Sequence, residues 1–118
     1  MKKIFVVLMM ASFSFAKPLT IDGFTVFDAA GTGSSSELKL FLDKGVDVNI
    51  KDEDGESLLY YACLGRKVDN VKLLLQKGAN AKAKNNDGAT ILESCIILPS
   101  FIKGREEIVK LLKSKGAK

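Results

Sequence analysis

A period of 33 residues constrains this chain more than any other feature. Gly45 recurs as Gly78 at that spacing, and Asp54-Gly55 recurs as Asp87-Gly88. Between these marks lie two short apolar segments, Leu58 to Leu64 and Val68 to Gln76, followed by Lys77-Gly78-Ala79-Asn80. A fixed period of this size is the signature of stacked units. Each unit is too small to bury its own apolar side and must share it with a neighbour.

Local chemistry within the period predicts pairs of helices. Ser57 and Thr90 stand where a hydroxyl can accept from the orphan N–H groups of a helix start. Ser34-x-x-Glu37 ahead of Leu38 reads as a reciprocal capping box. Val68, Val71, Leu74 and Leu75 fall on one side of a helix at 3.6-residue spacing. Gly45, Gly78 and Gly116 follow each second helix, where positive φ ends it at little cost.

The same residues resemble the ankyrin repeat. Gly55-Glu56-Ser57-Leu58-Leu59-Tyr60-Tyr61-Ala62 is similar to its G-x-T-P-L-H-x-A opening, with Leu58 in place of proline and Tyr60 in place of histidine. Val71-Lys72-Leu73-Leu74-Leu75-Gln76-Lys77-Gly78-Ala79-Asn80 is similar to its second half. One unit later come Gly88-Ala89-Thr90-Ile91-Leu92, then Ile108-Val109-Lys110-Leu111-Leu112 and Gly116-Ala117. One unit earlier come Val26-Phe27-Asp28-Ala29-Ala30, then Leu38-Lys39-Leu40-Phe41-Leu42 and Gly45-Val46-Asp47-Val48-Asn49. The resemblance implies an all-α solenoid of three helix-turn-helix repeats with β-turn fingers, at about 20–49, 50–82 and 83–118. If the units share their apolar flanks, Leu59, Leu74, Leu92 and Leu112 belong to one cluster.

The N-terminus does not fit the period. Lys2 and Lys3 precede a mostly apolar run from Ile4 to Phe15, and Ser14-Phe15-Ala16 supplies small residues at a cleavage point. This is the pattern of a secretory signal peptide over 1–16, leaving a domain over 17–118. The alternative, an uncleaved anchor, is short of the ~20 residues a spanning helix needs. Loss of the two lysines would lower the net charge from +4 to +2. A charge that small, with acids interspersed, argues against nucleic-acid binding.

Along the domain, Phe24 to Ala30 is expected as the first inner helix, with Phe24, Phe27 and Val26 as inward candidates. Ser36 to Lys44 is the first outer helix. Fingers are expected at Val46 to Glu56 and Ala79 to Ala89. The third unit is five residues longer than the period, and the excess lies in Ile96-Ile97-Leu98-Pro99-Ser100-Phe101-Ile102-Lys103. Pro99 should end the inner helix near Leu98. The insertion either folds Phe101 and Ile102 back over the core or presents an apolar docking patch. Lys113 stands where Leu42 and Leu75 stand earlier, as a polar terminal cap would require.

No constellation for catalysis is present. The chain has no histidine, which excludes a Ser-His-Asp triad and any histidine metal site. Gly31-Thr32-Gly33 lacks the rest of a phosphate loop. The acids Asp52, Glu53, Asp54 and Glu56 do not have the spacing of a calcium loop and read as a solvated finger tip. No cofactor is expected. Cys63 and Cys95 should both be small and buried in inner helices. Packed helices lie about 8–10 Å apart and a disulfide needs Cα atoms within ~7 Å, which favours free thiols unless their one-position offset narrows the gap. Tyr60 should bond near the turn. Tyr61 is either a packed aromatic or a contact anchor.

These readings make the chain a non-enzymatic module, a monomer whose partner is another protein, with no membrane segment after leader cleavage. The leader suggests the bacterial periplasm, or export beyond it to a host protein. The resemblance to exported bacterial ankyrin proteins implies stress protection or toxin neutralisation. It also implies contact positions at Lys51, Glu53, Asp54, Glu56, Tyr61, Leu64, Asn86, Ala89 and Ile97.

Overall fold

The computed structural model describes residues 20–21, 24–97, 99 and 103–117. The segment 1–16, predicted as a leader, the side chain of Phe24, and Phe101 and Ile102 lie outside what it describes. A two-residue hairpin opens the described chain, with β1 (Thr20–Ile21) antiparallel to β2 (Phe24–Thr25). Six helices follow: α1 (Val26–Thr32), α2 (Ser35–Asp43), α3 (Leu58–Leu64), α4 (Val68–Gln76), α5 (Ile91–Ile96) and α6 (Arg105–Ser114). The inner helices α1, α3 and α5 pack in order, and so do the outer helices α2, α4 and α6.

The helix starts follow the acid three positions on. Thr25 with Asp28, Ser34 with Glu37 and Thr90 with Glu93 each form a capping box with both bonds made. The first box moves the start of α1 to Val26, two residues later than the apolar pattern implies. Ser57 departs from expectation. It sits at the start of α3 without bonding the helix, and its buried Oγ has no partner among the described residues. The third residue after Ser57 is Tyr60, not an acid, so the reciprocal half of the box is missing. Gly45, Gly78 and Gly116 have φ of 97°, 92° and 93°, as the helix ends require.

The apolar sides merge into one core. Leu59, Leu74, Leu92 and Leu112 are all buried in a single cluster. Val26 is buried and Phe27 packs half-buried against the same cluster. In the third unit α5 ends at Ile96, just before Pro99, and Ile97 is 78% exposed. Lys113 is exposed, whereas Leu75 is buried and Leu42 half-buried.

The expectation of free thiols is wrong: Cys63 and Cys95 form a disulfide between α3 and α5. Interaxial distance was the wrong measure. Backbone atoms stand about 2.3 Å from each axis, so residues on facing sides approach well inside the axial separation. The Cα atoms here are 6.0 Å apart, within disulfide range.

Asn70 makes the most consequential polar contact in the core. It is 1% exposed, on α4. Its Nδ2 donates to the carbonyls of Ala29 (3.2 Å), Ala30 (3.0 Å) and Gly33 (3.1 Å), and its Oδ1 accepts from Ser35 Oγ (2.9 Å). One amide of the second unit thus serves the carbonyls at the end of α1, of which that of Ala29 also accepts from the Gly33 N–H. Gly65 completes this junction, since a Cβ there would overlap the Gly31 carbonyl.

Two stability outcomes follow. Asn70→Ala removes the Asn70 donor from the Ala30 and Gly33 carbonyls, while the Ala29 carbonyl keeps the Gly33 N–H, and should cost about 2–3 kcal/mol in urea unfolding. Alkylation without reductant should modify neither cysteine. Reduction opens a loop with 32-residue separation and should lower unfolding stability by about 3–4 kcal/mol.

Candidate functional site: the finger and inner-helix face

The fingers are built twice from one plan. In the first, Asp52 Oδ1 accepts from the backbone N–H groups of Asp54 and Glu56, both at 2.9 Å. In the second, Asn85 Oδ1 accepts from those of Asp87 (2.9 Å) and Ala89 (3.0 Å). Each tip is closed by an antiparallel bridge, Lys51 to Ser57 and Lys84 to Thr90. A short side chain folding onto its own turn is how Asp and Asn fix such loops.

The two fingers are then laced together. Asn86 donates its backbone N–H to the Asp54 carbonyl (3.0 Å) and its Nδ2 to the Glu53 carbonyl (2.9 Å). Asn85 Nδ2 donates to Glu56 Oε2 (2.9 Å), and Lys51 Nζ donates to the Lys84 carbonyl (3.0 Å). Asn49 Oδ1 accepts from the Asn80 N–H at 2.8 Å. Gly55 has φ of 80°, and a Cβ there would strike Asn86. The fingers therefore form one fixed edge, not two independent loops.

Tyr61 connects this edge to the inner helices. Its Oη donates to Asp52 Oδ2. Its ring lies 5.4 Å from Phe27 on α1, and Tyr60 stands edge-on to it at 5.2 Å. Tyr61 is thus a packed aromatic that also carries the finger base. Tyr60 does not bond at the turn as expected; its hydroxyl has no hydrogen-bond partner among the described residues. Burial, then the bond to Asp52 and its charge, push the Tyr61 phenol well above its ordinary pKa. Burial, then Glu56, raise that of Tyr60.

The nine sequence-derived contact positions divide by role. Lys51, Glu56 and Tyr61 spend their side chains on internal bonds, as does the Asn86 amide. Glu53 and Asp54 contribute backbone carbonyls and keep exposed carboxylates. Leu64 is 39% exposed near the end of α3, and Ile97 follows α5 at the same place in the repeat. A shallow depression brings Ala89 and Ile97 together with Asp87, Glu93 and Ser94. Asp52 and Asn85, absent from the nine, hold the whole edge. Their recurrence at the repeat spacing was the available signal. Both Asp52 oxygens accept hydrogen bonds within the finger, and no metal-binding cluster is found among the described residues.

The comparisons now decide the family. The model for ankyrin repeats matches residues 26–118 in three copies. The chain is an ankyrin-repeat protein. The crystal structure of the human ASB11 ankyrin repeat domain is similar at 34% identity and a TM-score of 0.67. The match covers 79% of this ankyrin-repeat chain and 40% of that one. No curated protein matches. Ankyrin repeats generally serve as protein–protein interaction modules, and the scaffold is not an enzymatic one.

The paired tyrosines give a pH test. Their folded pKa values lie above the unfolded value of about 10. Their contribution is complete below pH 10 and declines as pH rises from there toward the folded values, because the unfolded chain then loses protons the folded one keeps. Spectrophotometric titration should show no tyrosinate step near pH 10 until the protein unfolds. Tyr61→Phe should make the alkaline loss of stability shallower.

Proposed function

We propose that this protein is a non-enzymatic binding module that holds another protein against its fingers and inner helices. The observation that carries the reading is the lacing of the fingers. A rigid edge presents exposed carboxylates at Glu53, Asp54 and Asp87; Asp87 lines the same depression as the exposed Ile97, and Leu64 is exposed at the equivalent place one repeat earlier. Preorganised surface loses little conformational freedom on association. Exposed apolar groups within a polar surround are a usual mark of a contact face. The outer helices instead expose mostly charged groups, with Leu40 as their one large exposed apolar side chain among the described residues.

The place of action is the bacterial periplasm. This part of the reading is supported by the tripartite leader pattern at Met1 to Ala16. There the module would act by occupying a partner, in a stress-protective or toxin-neutralising role.

Photo-crosslinking in the native periplasm tests this directly. A crosslinker at Ile97 should capture one protein, and a crosslinker at Leu40 on the outer surface should not. The double substitution Glu53→Lys with Ile97→Asp should reduce capture at least tenfold, with circular dichroism unchanged. Equal capture from both positions would remove this face as the binding site.

A further inference from the structure

We propose that this face docks a basic amphipathic protein segment, with lysines or arginines flanking an aliphatic stripe. The proposal rests on the binding reading above and names the chemistry of its partner.

Charge is sorted between the two sides of the molecule. Inner helices and fingers (Val26–Thr32, Val46–Glu56, Leu58–Leu64, Ala79–Ala89 and Ile91–Ile96) carry eight carboxylates against three lysines. The outer helices with their immediate flanks (Ser35–Lys44, Lys67–Lys77 and Arg105–Lys115) carry nine basic groups against five acidic ones. The small net charge of the chain conceals two opposed faces.

The negative charge on the inner side is only partly offset within the protein, where Lys84 lies near Glu93. The ion pairs among the described residues, Lys39 to Asp43 at 2.9 Å and Lys72 to Glu107 at 3.4 Å, both belong to the outer helices. Glu53, Asp54 and Asp87 are exposed and have no cationic partner among the described residues. Of the three lysines on that side, Lys84 stays near Glu93, where after the Thr90 capping bonds its charge helps to favour the carboxylate, and the other two are turned elsewhere. Lys51 bonds a backbone carbonyl of the next finger, and the Lys82 chain lies close to Gly116. Holding like charges on one rigid edge costs repulsion that a cationic partner relieves.

Apolar groups define the rest of the occupant. Leu64 and Ile97 occupy one place in successive repeats and form an exposed aliphatic row. Tyr60 precedes Leu64 by four residues on α3 and is half-buried, so its ring adds an aromatic surface on which a guanidinium or ammonium can stack. A segment with cations on its flanks and aliphatic side chains along its middle satisfies both features. An acidic or purely polar segment satisfies neither.

Fluorescence anisotropy with labelled model peptides tests this on the full folded chain. A leucine–lysine amphipathic peptide should bind, weakening as salt is raised, and a leucine–glutamate peptide of equal length should not. Neutralising Glu53→Gln, Asp54→Asn and Asp87→Asn together should weaken binding about tenfold. Leu64→Ser with Ile97→Ser should do likewise at high salt. Lys110→Glu with Lys113→Glu on α6 should leave it unchanged. Circular dichroism confirms that each variant is folded. Equal binding of the acidic peptide, or no effect of the neutralised acids, overturns the proposal. A protein crosslinked at Ile97 whose contact region is not basic also overturns it, while leaving the binding reading standing. Failure to crosslink any protein defeats the binding reading itself.

Discussion

Each inner helix hides its apolar side against its own outer helix and against the neighbouring inner helices. α1, α3 and α5 have seven, seven and six residues, too few to be stable alone in water. Their helicity is therefore a product of stacking. That dependence explains why junctions carry so much of the specific chemistry. The Asn70 amide, the close approach of Gly65 to Gly31, and the Cys63–Cys95 bond all cross from one unit to its neighbour.

The fingers repeat this logic in polar form. Each turn is closed by its own Asp or Asn, then tied to the next by Asn86, Asn85 and Lys51. Side chains at a surface that looks free for contact are partly committed to holding it in shape. The distinction matters for any reading of the face, because Tyr61 and Glu56 act on a partner through the geometry they keep, whereas Glu53, Asp54 and Ile97 are open to solvent.

Much of the fold was legible in the sequence, because periodicity records burial. Glycine spacing placed the helix ends, and the 3.6-residue rows placed Leu74, Leu75 and Val71 in the core. The Ser34 box was legible from the acid at its third position; those at Thr25 and Thr90 obey the same rule, and Ser57 lacks that acid. The disulfide was missed for a geometric reason: distances between helix axes say little about residues that face each other. Asn70 was invisible because a buried asparagine and an exposed one look alike in a helical pattern, and its partners lie some 40 residues earlier. The candidate face was legible by position but not by role. No rule of spacing tells which polar side chains turn inward.

The Asn70 junction has a consequence for how the chain can be rebuilt. Its donors address carbonyls of the preceding unit and of no other, so the three modules are not interchangeable bricks. Shuffling their order, or splicing a generic module after the first, would bring the wrong backbone beneath that amide. An array lengthened by design would have to grow from elsewhere, leaving the first two units joined as they are.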